Sequence, residues 1–127
     1  RGARVPHSTP VEWDAADVNG SDRAIVAADD ANRLIAVSHA AADLFGWDRE
    51  ELIGQRVVSI VPEAMREAHI AGFVRYLVSG ERRILGAPVR VLALRRDGST
   101  VPVVIRIEVA ATAGSRRVFT ATFTLPD

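Results

Sequence analysis

Apolar and polar positions alternate most strictly between Thr100 and Ala111, where Val101, Val103, Ile105, Ile107 and Val109 interleave with Pro102, Val104, Arg106 and Glu108. A period of two places the first set on the core face of a strand. The neighbouring stretches 82–96 and 117–125 share its β-branched character, and Arg96-Asp97-Gly98-Ser99 supplies hairpin chemistry between the first two strands. In the last stretch Phe119, Ala121, Phe123 and Leu125 are expected inside, with Val118, Thr120, Thr122 and Thr124 on a solvated face. Two shorter apolar runs, 24–28 and 33–38, joined by Asp29-Asp30-Ala31-Asn32, predict a second hairpin.

Between the hairpins the period becomes helical. Ala40, Ala41, Leu44 and Phe45 give one apolar face to a helix of two turns that Gly46 closes. Asp48-Arg49-Glu50-Glu51 reads as a capping box opening a second short helix, which Gly54 ends. Residues 57–61 form a brief helical or extended piece. Pro62 suits the first position of a longer helix running to about Ser79, with Gly80 past its end. Upstream, a short helix over residues 11–18 is pinned by Trp13 and stopped by Asn19-Gly20, and residues 1–10 read as a linker or arm. Helices this short are marginal alone, so they must pack on the sheet.

The chain has 127 residues, one domain's worth, enough to bury a self-sufficient core. Sixteen Arg balance sixteen Asp plus Glu, which speaks against nucleic acid or an anionic membrane as partner. There is no Lys, hence no Schiff-base or Walker lysine, and no Cys, hence no disulfide or thiolate chemistry; the expected setting is cytoplasmic. No apolar run is long enough for a transmembrane helix, and the start at Arg1 reads as a cut from a longer protein. The three histidines, His7, His39 and His69, are too scattered for a structural metal site. Ser38, His39 and Asp43 raise a small hydrolase as a rival reading, but no glycine-rich elbow accompanies the serine, and no enzyme is expected.

Two strands, short helices, one long helix and three antiparallel strands, together with residues 41–54 (AADLFGWDREELIG) and the Asp97-Gly98 turn, resemble a PAS sensor domain over residues 13–125. The resemblance implies an α+β fold, a five-stranded antiparallel sheet with short helices and one longer helix over its concave face. It assigns residues 11–127 to the domain. It also implies a sensory or dimerising module of a larger signalling protein, with an output domain elsewhere in the full-length chain. Ser38 stands where many relatives have Asn, and Thr124-Leu125-Pro126-Asp127 replaces the usual Asp-Ile-Thr end. Lacking Cys, the chain cannot form the flavin-thiol adducts of photosensing relatives.

In such a fold Met65, His69, Phe73, Tyr76, Ile84, Val89, Val91, Ile105, Ile107, Phe119 and Ala121 would line a pocket. They would hold a small apolar metabolite with His69 or Tyr76 as polar handle, or simply fill the core. Pro62, Glu63, Arg66 and His69 also match the stretch that supplies the proximal ligand in haem oxygen-sensor members, Arg75 matches a propionate arginine, and Ile84, Ile105 and Ile107 fall at distal apolar positions. The oxygen-binding arginine of those members is Val89 here, and Arg90 beside it faces the other way. A colourless protein is therefore expected, with His69 a core or ligand-contacting histidine and haem the alternative. Leu92, Leu94 and Val104, flanked by Arg90 and Arg106, predict an apolar outer strip for a homodimer, the alternative being that the helix containing Trp13 covers it. The pairs Arg82-Arg83, Arg95-Arg96 and Arg116-Arg117 read as solvated hairpin ends.

Overall fold

The computed structural model describes residues 14–79, 87–111 and 117–126, and among these the side chains of 73–79, 110 and 111 stand outside the description. The expectations for the 1–10 arm, Trp13, Gly80, Ile84, the Arg82-Arg83 pair and Arg116 thus lie outside the described residues, as do those for the side chains of Phe73, Arg75 and Tyr76. In chain order the elements are α1 (Ala15–Asn19), β1 (Ala24–Asp29), β2 (Leu34–Val37), α2 (His39–Phe45), α3 (Arg49–Leu52), two 3-10 turns (Val57–Ile60 and Glu63–Met65), α4 (Arg66–Ser79), β3 (Val89–Leu94), β4 (Thr100–Ala111) and β5 (Arg117–Thr124). The five strands form one antiparallel sheet in the order β2-β1-β5-β4-β3.

Register sorts the side chains into two faces. Val103 stands opposite Val91, Ile105 opposite Phe123 and Ile107 opposite Ala121, so the alternating set of β4 shares the inner face with its partners. That face carries the main core, in which Val26, Leu34, Val37, Val101, Val103 and Phe123 pack against Phe45, Leu52 and Ile60 of the short helices. Phe45 and Phe123 meet edge to face, with ring centroids 5.0 Å apart.

Three expectations are corrected. Val118 is buried, because the outer face of β1, β2 and β5 is not solvated: Val18 of α1 covers it with Ala27 and Ala36 in a second cluster. Leu125 lies beyond β5 and is 64% exposed, having no strand to hold it inward. The capping box does not form: Asp48 makes no side-chain cap, and its carbonyl alone accepts from Glu51 and Leu52. The Glu51 carboxylate instead pairs with Arg96, whose guanidinium sits 4.7 Å from the Trp47 ring centroid and whose amide donates to the Phe45 carbonyl. A tertiary cation has outcompeted a local amide, and Arg96 thereby clamps the β3–β4 turn to the helical layer.

Ser38 organises the junction of strand and helix. Its side chain is fully buried; Oγ donates to the Arg23 carbonyl at 2.6 Å and accepts from the amides of Ile25 (3.0 Å) and Ala41 (3.2 Å), the latter as the N-cap of α2. Gly46 closes α2 in the left-handed region at φ 73, where a side chain would add strain. Ser38→Ala leaves two amide donors orphaned and is expected to cost roughly 2–4 kcal/mol in urea unfolding. Asp48→Ala removes no hydrogen bond and should cost under about 0.5 kcal/mol. Equal losses in the two variants would refute the assignment of the caps.

Candidate functional site

The inner face is not uniformly sealed. Near the β3–β4 turn, Ala93, Val101 and Val103 are buried under the short helices. Further along the same face Val89, Ile105, Ile107, Phe119 and Ala121 are only half-buried, and Val91 is 38% exposed. The register thus brings together on one face every described strand residue that the sequence nominated for a pocket. Met65 does not join them: it ends a 3-10 turn, is 52% exposed, and belongs to the surface because α4 begins only at Arg66, later than Pro62 suggested.

His69, on the first half of α4, is half-buried and meets a residue that sequence reasoning left out, Asn32. The two amide atoms of Asn32 straddle the ring nitrogen, Nδ2 at 3.2 Å and Oδ1 at 3.3 Å from His69 Nε2. Either the amide N–H donates to a bare Nε2, or a protonated Nε2 donates to Oδ1. Asn32 occupies the left-handed region at φ 64, which Asn tolerates better than most side chains, and the Asp-Asp-Ala-Asn turn requires a residue there. Its backbone is held at both ends: its amide donates to the Asp29 carbonyl at 3.0 Å and its carbonyl accepts from Val57 at 2.9 Å. Burial pushes the His69 imidazole below its ordinary value of about 6.5, favouring the neutral ring. One buried donor, Trp47 Nε1, has no partner among the described residues.

Axial ligation of a haem does not fit this arrangement. A neutral imidazole is a suitable iron ligand, but Nε2 is spanned by the Asn32 amide, and the valine at position 89 has no donor to offer a bound gas. Ser38 is equally unsuited to the hydrolase reading: its hydroxyl is saturated by three backbone groups at zero exposure, while His39 next to it is exposed. Among the described residues no group of His, Asp and Glu is placed to hold a metal ion, and no helix is long and apolar enough to cross a membrane.

Comparison with known proteins gives the same architecture. The family model described as the PAS fold matches residues 15–124. An uncharacterized protein of Azorhizobium caulinodans is 38% identical over 99 residues, 77% of this chain and 13% of that protein. The sensor protein FixL of Bradyrhizobium diazoefficiens is 40% identical over 70 residues, 55% of this chain and 14% of that protein. The chain therefore spans about one-seventh of the length of these relatives. Among solved structures, the PAS domain of a Desulfitobacterium hafniense protein superposes with a TM-score of 0.67 at 14% identity, covering 85% of this chain and 96% of that one. The antiparallel sheet order, the short helices packed on its inner face and the match over residues 15–124 make this chain a member of the PAS family.

Proposed function

We propose that this chain is the non-catalytic sensory domain of a larger cytoplasmic signalling protein, and that it takes a small apolar ligand on the inner face with His69 at the polar end. The carrying observation is the unevenly covered face. Val91, Ile105 and Ile107 stay partly exposed on a surface whose other half is sealed, and α4 carries a half-buried imidazole, His69, whose burial favours the neutral ring. Apolar walls with a few polar groups at one end are the usual make-up of a small-molecule site. Residues 11–127 form the domain and 1–10 its linker, and the small share of each relative that the chain matches supports an output domain elsewhere in the same polypeptide. Two copies associate through the outer strip of β3 and β4. Leu92 there is 51% exposed, and Leu94 and Val104 are half-buried, whereas α1 covers β1 and β2 instead.

Native mass spectrometry of freshly purified protein tests the ligand. An added mass is expected and should disappear in Ile107→Trp, which fills the face; a bare mass from both proteins counts against the site. The pH dependence of stability tests the state of His69. Because its folded value lies below the unfolded one, the unfolded chain binds more protons as the pH falls. His69 therefore contributes stability that is full above about pH 6.5 and lost as the pH drops through the folded value. Urea midpoints from about pH 8 to about pH 5 should fall more steeply in the wild type than in His69→Gln; parallel curves would refute it. Sedimentation at several concentrations should show self-association that Leu92→Arg weakens at least about tenfold, and a strict monomer at high concentration would remove the dimer.

A further inference from the structure

We propose that Asn32 is a latch on His69: its amide withholds Nε2 from iron or any other single-point ligand, and a ligand that engages this nitrogen must first displace the Asn32 side chain. The latch rests on the reading of His69 as the polar end of the site, and adds to it the residue that decides what the imidazole accepts.

Three observations support it. The amide lies across the ring nitrogen, with both of its heteroatoms within 3.3 Å, so no second atom can approach Nε2 along that direction while Asn32 stays. A half-turn of the amide preserves the contact whether Nε2 is bare or protonated, so a change in proton occupancy alone does not open it. The backbone of Asn32 cannot simply retreat, since Asp29 and Val57 hold its two ends and its φ of 64 belongs to the turn itself. Release must therefore come from the side chain or be passed on, through the Val57 amide, to the 3-10 turn Val57–Ile60 that contributes Ile60 to the core. The residues just before that turn lie along the edge of β2, where Leu34 exchanges hydrogen bonds with Gln55 and Gly54 at 2.8 and 2.7 Å. Displacement of one side-chain amide is thus placed to disturb the border of the sheet.

Ferric haem, used as a reagent for an accessible imidazole, tests the latch by spectrophotometric titration of the wild type, Asn32→Gly and Asn32→Gly/His69→Ala. Glycine keeps the left-handed turn while deleting the amide. The wild type should show no His69-dependent shift of the Soret band. Asn32→Gly should gain one, with affinity raised at least about tenfold, and the double variant should lose it. Tight His69-dependent binding by the wild type, or no gain in Asn32→Gly, overturns the latch. Asn32→Asp provides a reading that survives should the glycine variant fail to fold. A carboxylate across Nε2 favours the imidazolium, so nitrogen-15 NMR should find the His69 titration moved up, and an unmoved titration overturns the contact. A missing ligand mass in the earlier experiment, with these outcomes intact, removes the ligand reading alone.

Discussion

A single buried hydroxyl fixes how the helical layer meets the sheet. Ser38 follows β2, caps α2 and bonds through its hydroxyl to the Arg23 carbonyl just before β1 and to the Ile25 amide within it, so backbone groups of β1 and α2 that would otherwise be left unsatisfied in the interior are closed by one side chain. Buried polar groups left alone cost enough to decide a local conformation, and the placement of α2 follows. Once α2 is set, Phe45 faces Phe123 across the core, Gly46 turns the chain back, and the Phe45 carbonyl receives the Arg96 amide from the β3–β4 turn.

From that anchor the molecule divides into a firm half and a looser one. The half beneath α2 and α3 is sealed on its inner face by the short helices, while α1 covers the outer face of β1, β2 and β5. The half towards the middle of β4 and the first residues of β3 keeps apolar side chains partly in contact with water. A sensor needs both properties. On the ligand-binding reading proposed above, rigid packing would give the receiving surface a fixed shape and the partly covered half would be where the ligand goes.

The fold was legible because its elements are written in local code. The alternation along β4, the Asp29 to Asn32 turn, the glycine after Phe45 and the proline before the long helix each act within a few residues. What escaped was non-local. Val118 reads as a solvent-facing β-former until α1, a five-residue helix too short to display an apolar period, is seen lying over it. Asp48 and Glu51 have the spacing of a capping box, yet Arg96, 45 positions away, takes the carboxylate. The inner-face residues of the candidate site could be found by periodicity, and His69 by its place on an apolar helix. Asn32 could not be linked to it, because a turn asparagine is fully explained by its turn and its partner lies 37 residues further on. A left-handed Asn preceding a strand was the available signal, and it pointed only to backbone geometry.

The order of strands carries a mechanical implication. The first strand of the sheet and the last are neighbours, and Ala24 at the beginning of one stands opposite Phe123 near the finish of the other. Incoming and outgoing polypeptide therefore pass within about 5 Å, one strand spacing, at the same end of the sheet. The first and last strands of the described sheet are thus joined directly as one antiparallel pair, β1 with β5.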